Sequence, residues 1–291
     1  MSGGVRVVLN GVRGSTPCSG PEYVRFGGSS SCVAIEADGT SPIVLDLGTG
    51  LRRYGERWAS STSEPFRGHV LLTHMHWDHV QGFPFFTPLH REGASVEVFG
   101  PRQEDGGLGA AFGRLMGSPF FPIGPHDLAA EVRFTDLGDD DFTVGTAKVR
   151  ARRVRHTDAT LGFRVEVGGA VVVYLPDHAQ ACGDGPDDDV PDAVLELCDG
   201  ADLLIHDAQH TVEEFAAKRH WGHCTPEYAV HVGREAGVGT VALFHHDPAH
   251  RDEDLDAIEL RARDLASSTG GPQVVAAREG IEMVLAGGLV R

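Results

Sequence analysis

Hydrophobic positions along the chain gather into short runs separated by glycine-, proline- and charge-rich breaks. Nine runs read as strands: Val5–Leu9, Cys32–Glu36, Ile43–Leu47, His69–Thr73, Ser95–Phe99, Leu161–Val167, Ala170–Leu175, Leu203–His206 and Val241–His245. Several are apolar almost throughout, as expected of strands covered on both faces. Between them lie helical patterns. The clearest is Pro226–Ala236, with Thr225 as N-cap, Pro226 in the first turn and Gly237 ending the pattern. Another is Asp252–Ser267, with acidic residues in its first turn and Leu255, Ile258, Leu265 and Ala266 along one stripe. Strands and helices alternate in both halves without a low-complexity linker, and there is no tandem repeat. This predicts an α/β fold, its sheets sandwiched between helices, in a single domain over residues 1–291. Gly183–Pro191 reads as a surface loop. Gly100–Pro125, carrying Phe112, Phe120 and Phe121, reads as a covering helix plus loop, with an active-site flap as the alternative.

Composition narrows the function. The 291 residues are 41% hydrophobic and 23% charged, enough for a sizeable core. With 25 Lys+Arg against 42 Asp+Glu the net charge is −17, which repels phosphate backbones and disfavours a general nucleic-acid binder. It leaves open a phosphodiester taken at a cationic metal site. The opening MSGGVRVVLN lacks the cationic start and long apolar stretch of a signal peptide. No apolar run approaches the roughly 18 residues of a membrane span, and scattered cysteines suit a reducing cytoplasm, where the protein is expected. Cys18, Cys32, Cys182, Cys198 and Cys224 are scattered and never form C-x-x-C, arguing against a disulfide framework or a zinc knuckle. Cys224 stands out only because it adjoins His223.

Sixteen histidines are many for this length, and some cluster. From Gly68 the chain reads G-H-V-L-L-T-H-M-H-W-D-H, an apolar strand running into His74, His76, Asp78 and His79. Residues two apart on an extended segment point the same way, so His74 and His76 can grip one ion. The following turn can swing Asp78 and His79 towards another. Imidazole and carboxylate donors without thiolates suit catalytic Zn²⁺, with Mn²⁺ or Fe as alternatives, rather than a structural zinc site.

This H-x-H-x-D-H segment resembles the signature of the metallo-β-lactamase superfamily. Other segments resemble that superfamily in the same order: Asp46-Leu-Gly48-Thr-Gly50, which buttresses its metal loop, then His156 in R-H-T-D, Asp177 in Y-L-P-D-H and His245 in L-F-H-H-D-P. The resemblance implies a four-layer αβ/βα sandwich and a dinuclear metal-dependent hydrolase. His74, His76 and His156 would hold one ion, Asp78, His79 and His245 the other, and Asp177 both. His246 remains an alternative to His245; otherwise it is expected to face solvent or to support a ligand. Ala-Asp-Leu-Leu-Ile-His-Asp207 and Gly222-His223-Cys-Thr225 resemble the phosphodiesterase branch, which includes RNase Z and the cyclic-phosphodiester hydrolases. Asp207 and Cys224 replace that branch's more usual Glu and Ser. His223 is implied to contact phosphate or donate a proton, the bland alternative being a helix-capping histidine, and Asp207 to fix a histidine tautomer.

RNase Z carries a long tRNA-clamping insertion between its third histidine and its bridging aspartate. Here that interval, 177 − 156 = 21 residues, holds two strands and a Gly168-Gly169 turn, with no room for a clamp. The expected substrate is therefore a small cyclic or linear nucleotide or ribose phosphodiester, attacked by a metal-bridging hydroxide. The alternatives are a hydrolase of lactones, thioesters or β-lactams on the same site, and a non-hydrolytic metal-binding member. A homodimer is expected from the resemblance alone. The run Phe83–Phe86 is expected to pack rather than to stack on a base, and His178, His206, His210, His220 and His250 to be structural or exposed.

Overall fold

The computed structural model describes residues 4–180 and 190–286. Fourteen strands form two sheets of seven. In the first sheet, β1 (Val5–Gly11), β2 (Cys32–Glu36) and β3 (Ile43–Leu45) pair antiparallel. From β3, parallel pairing continues through β4 (Arg67–Leu71), β5 (Ser95–Pro101) and β6 (Glu131–Leu137). In the second sheet, β7 (Asp140–Val144), β8 (Ala147–Val154), β9 (Thr160–Val167) and β10 (Ala170–Leu175) are antiparallel neighbours. Parallel pairing then runs through β11 (Leu203–Asp207), β12 (Thr240–Phe244) and β13 (Gln273–Ala276). The last strand, β14 (Glu282–Leu285), crosses back to pair with β1.

The helices are α1 (Gly50–Ser61), α2 (Trp77–Val80), α3 (Gly107–Leu115), α4 (Asp192–Cys198), α5 (Val212–Lys218), α6 (Pro226–Glu235) and α7 (Asp252–Thr269). Three apolar cores explain the layering. One joins the inner sheet faces through Val7, Ile35, Leu45, Val149, Phe163, Tyr174 and Phe244. Another packs the first sheet on α1 and α3 through Val44, Leu51, Tyr54 and Phe112. The third packs the second sheet on α4, α6 and α7 through Val173, Leu197, Tyr228 and Leu255. The result is the four-layer sandwich expected.

All nine sequence-derived strands are present, and two of their ends move for a local reason. The run ending at Leu47 stops at Leu45, and the run ending at His245 stops at Phe244. In each case the next residue, Asp46 (φ 59°) or His245 (φ 61°), turns into the left-handed region and leaves the ladder. Five strands (β6, β7, β8, β13 and β14) were not among those expected. Gly100–Pro125 contains α3, whose Phe112 packs on Phe83 and Phe134, a covering helix rather than a flap. Phe83 and Phe86 are buried as expected, whereas Phe85 is exposed. Most of Gly183–Pro191 lies outside the described residues.

The parallel strands of both sheets point their carboxyl ends to one edge of the sandwich, where an open α/β sheet places its ligands. Asp46 follows β3, His74 to His79 follow β4, Asp177 follows β10, Asp207 ends β11 and His245 follows β12. The tight β9–β10 turn uses Gly168 (φ 57°) and Gly169 (φ 83°), which fills the short interval between His156 and Asp177.

Candidate metal centre

The site residues read from the sequence lie together, most of them buried, with the His76 side chain partly exposed at the edge. Donor atoms fall within 4.8 Å of one another in four overlapping sets: His74, His76 and His156; Asp78, His79 and His245; His74, His79 and Asp177; and Asp177, Asp207, His223 and His245. Asp177 stands between the first two sets and divides its oxygens between them. Its Oδ1 is 4.0 Å from His74 Nε2 and 3.7 Å from His156 Nε2. Its Oδ2 is 3.0 Å from His79 Nε2 and 3.4 Å from His245 Nε2. Asp78 Oδ2 completes the second set, 3.2 Å from His79 Nε2 and 3.0 Å from His245 Nε2.

Hydrogen bonds on the far side of the His74, His76, His79 and His156 rings set which nitrogen faces inward, whereas His245 Nδ1 is buried without a partner. His79 Nδ1 donates to Asp46 Oδ2 at 2.7 Å, and His156 Nδ1 to the Gly222 carbonyl at 2.6 Å. His74 Nδ1 meets Thr73 Oγ1 at 3.0 Å, and that hydroxyl donates to Asp46. His76 is reversed: Nε2 donates to Asp158 Oδ2 at 3.0 Å and Nδ1 faces His156 Nε2 at 3.4 Å. On neutral rings these inward-facing nitrogens carry lone pairs, pointed at each other and at carboxylates. His79 Nε2 and His245 Nε2 are 3.3 Å apart, and His74 Nε2 is buried without a hydrogen-bond partner. Such an arrangement needs cations or shared protons between its members, and outer hydrogen bonds that orient imidazoles inward are what metal-binding histidines use. The donor set fits divalent metal ions.

Burial opposes protonation of His79, but Asp78, Asp177 and Asp46 outweigh it and raise its pKa well above the ordinary histidine value. Burial opposes ionisation of Asp177, yet the imidazoles of His245, His79 and His74 hold its carboxyl well below the usual carboxylate range. Asp78 is held down likewise against burial, chiefly by His79 and His245. Burial, with His79 nearby, keeps His74 well below the ordinary histidine value.

Backbone geometry is special here and nowhere else among the described non-glycine residues. Ser15 (φ 59°), Asp46 and His245 are those with left-handed φ, and all three line the centre. Ser15 donates its backbone N–H to Asp78 Oδ2 at 2.7 Å, which steadies that carboxylate. Asp46 accepts both the backbone N–H and the hydroxyl of Thr73, so the D-x-G-x-G turn does buttress the metal loop. Its Gly48 must be glycine, because a Cβ there would sit 2.2 Å from the Asp78 carbonyl oxygen.

His223 and Asp207 lie beside the cluster. His223 Nδ1 donates to Asp207 Oδ2 at 2.8 Å and lies 3.6 Å from Asp177 Oδ1. Burial opposes protonation of His223, but Asp207, helped by Asp177, outweighs it and raises the pKa. Burial likewise opposes ionisation of Asp207, and His223 keeps its pKa low. Asp207 also accepts the backbone N–H groups of His178 and Gln209. Thr225 caps α6 through its hydroxyl, as expected, which leaves the His223 side chain free of that duty.

The expectation that His246 faces solvent or supports a ligand fails on its first part. It is 1% exposed, and its Nε2 donates to the Ala277 carbonyl on the side away from the cluster. His245, not His246, enters the cluster. His178, His206, His210 and His250 are buried and His220 is exposed. Cys224 is buried, its thiol donating to the Asp207 carbonyl at 3.0 Å. The described cysteines, Cys18, Cys32, Cys198 and Cys224, are unpaired. Ser15, Asp158 and the Gly222 carbonyl were not anticipated, though Asp158 lies two residues after His156 in the same motif. Among the described residues no helix is long and apolar enough to cross a membrane.

Residues 43–246 match the family model of the beta-lactamase superfamily domain. The chain belongs to the metallo-β-lactamase superfamily, in its phosphodiesterase branch. Within the superfamily it is 40% identical over 227 residues to a ribonuclease Z of Brevibacillus brevis, covering 64% of this chain and 70% of that protein. Its fold is similar to that of the metallo-beta-lactamase fold protein YhfI from Bacillus subtilis (TM-score 0.71, 17% identity, 96% of this chain and 98% of that one). It is also similar to that of a diphosphatase from the PhnP family (TM-score 0.68, 18% identity, 96% and 97% covered). The superfamily placement and the His/Asp cluster make this chain a metal-dependent hydrolase.

Proposed function

We propose that the chain is a phosphodiesterase with a dinuclear metal centre, cleaving a small cyclic or linear nucleotide or ribose phosphodiester. The observation that carries this reading is Asp177, whose two oxygens face two separate groups of imidazoles. His74, His76 and His156 would hold one divalent ion, Asp78, His79 and His245 the other, and Asp177 both. Zn²⁺ suits these donors, with Mn²⁺ or Fe as alternatives. Two such ions supply Lewis-acid charge for a phosphate oxygen and activation of water at neutral pH.

The remaining residues position and protonate. Asp207 fixes His223 with Nδ1–H outward, so that Nε2 is the atom offered to the leaving oxygen, as general acid or hydrogen-bond donor. Ser15 N–H and Asp46 hold Asp78 and His79 in register. The short β9–β10 hairpin and the net charge of −17 favour a small diester over a folded RNA.

The test is hydrolysis of bis(p-nitrophenyl) phosphate, cyclic nucleotides and a precursor tRNA by the metal-analysed protein and its His76→Ala variant. Turnover of small diesters that disappears in the variant is expected. Activity confined to lactones, thioesters or β-lactams, or none in the metal-loaded protein, would refute the reading. Cleavage of the tRNA alone would refute the choice of substrate size.

A further inference from the structure

The sequence contains three tryptophans. Trp58 packs on Phe66 with ring centroids 5.1 Å apart and belongs to the core of the first sheet. The other two stand out in solvent, Trp77 63% and Trp221 49% exposed. Each directly adjoins, in the chain, a residue that builds the metal centre. Trp77 lies between His76 and Asp78, at the first position of α2. Asp78, His79 and Val80 all turn inward on this one-turn helix, so the position of Trp77 faces outward by geometry. Any polar residue would satisfy that position. Among the described residues its ring meets no other aromatic ring and no cation, so packing does not explain a tryptophan there.

Trp221 precedes Gly222, whose carbonyl holds His156 Nδ1 at 2.6 Å, and lies two residues before His223. Its ring is 6.1 Å from that of His210, and Lys218 Nζ is 5.2 Å from its centroid while pairing with Asp247 at 3.0 Å. Large flat apolar rings exposed beside a phosphate-directed centre match what nucleobases require. Stacking on an aromatic face binds any base, tolerates sequence, and is strongest on wide rings. A bare ribose phosphate has no aromatic face to stack.

Resting on the phosphodiesterase reading, we infer that Trp77 and Trp221 form a base-stacking rim around the centre. The natural substrate is then a nucleoside phosphodiester rather than a base-free sugar phosphodiester. The test is calorimetric titration of the zinc-loaded protein with AMP and with ribose 5-phosphate, which share a phosphate and differ in the base. Wild-type protein should bind AMP at least about tenfold more tightly. The double variant Trp77→Ala/Trp221→Ala should lose that preference while keeping its affinity for ribose 5-phosphate and its zinc content. Trp77→Phe/Trp221→Phe, which keeps aromatic faces, should retain most of it and guards against misfolding of the alanine variant. Equal affinity of the wild type for both ligands, or an unchanged AMP preference in the alanine variant, would overturn the inference. So would an equal loss of both ligands. None of these outcomes depends on diester turnover, so an inactive protein that prefers AMP would sink the phosphodiesterase reading alone.

Discussion

Asp207 and His223 face each other across a 2.8 Å hydrogen bond, the carboxylate fully buried and the imidazole nearly so. The bond commits Nδ1 and leaves one nitrogen for chemistry. Asp207→Asn should keep the fold but present an amide that can no longer stabilise the imidazolium. Turnover should fall by about 10²-fold, and His223→Ala should fall within about 10²–10⁴-fold. In both variants metal content, read by elemental analysis, should stay near the wild-type level.

Asp46 touches no inward-facing nitrogen, yet it holds His79 directly and His74 through Thr73. Asp46→Ala should weaken metal retention by about 10–100-fold, read by competition with a chromophoric chelator. Wild-type retention in this variant would mean that the loop is held by its packing alone.

Gly222 has φ +85°, and a Cβ there would lie 2.6 Å from His156 Nδ1. Gly222→Ala should therefore push His156 off its carbonyl anchor, with a strain and overpacking cost of about 1–3 kcal/mol. The expected readout is a lowered melting temperature together with a lowered metal stoichiometry. Gly237, also at positive φ but with open space where a Cβ would go, is the control: Gly237→Ala should cost stability without touching the metals.

Chelation should destabilise the fold, because the converging donors are then left with shared protons alone in place of cations. At metal concentrations about 1,000-fold above Kd the linkage is worth about 4 kcal/mol. A melting temperature indifferent to EDTA and zinc would contradict ion binding at this cluster.

Burial pushes both His178 and His246 down to about 3. In the unfolded chain each titrates near 6.5, so below that pH the unfolded state takes up protons that the folded state refuses. Stability is therefore full above pH ~6.5 and falls as pH drops towards about 3, by about 1.4 kcal/mol per pH unit for each histidine. Measured on metal-free protein, His246→Gln should lower stability at pH 7.5 but flatten the slope between pH 6 and 4.5.

The sequence carried the centre further than it carried the sheets. Four donors within Thr73–His79 and the lone aspartate after β10 could be read because chemistry restricts such residues more tightly than packing does. Strand β8 lacks a near-continuous apolar run, since A-K-V-R-A-R-R-V alternates and only one of its faces is fully buried, the other being partly covered by α4. Strands β13 and β14 are four residues each and too short for periodicity to show. The resemblance selects His245 over His246, but the physical reason, a left-handed turn at His245, is not announced by the sequence. Ser15 acts through its main chain, which no side-chain pattern encodes.

Donors of each proposed ion come from both sheets: His74 and His76 with His156, Asp78 and His79 with His245. Bound cations would thus rivet two slabs that otherwise cohere only through the oily seam between them. Loosening that seam at a distance, for instance at Phe163, should show first as leakage of metal and only later as loss of the folded state.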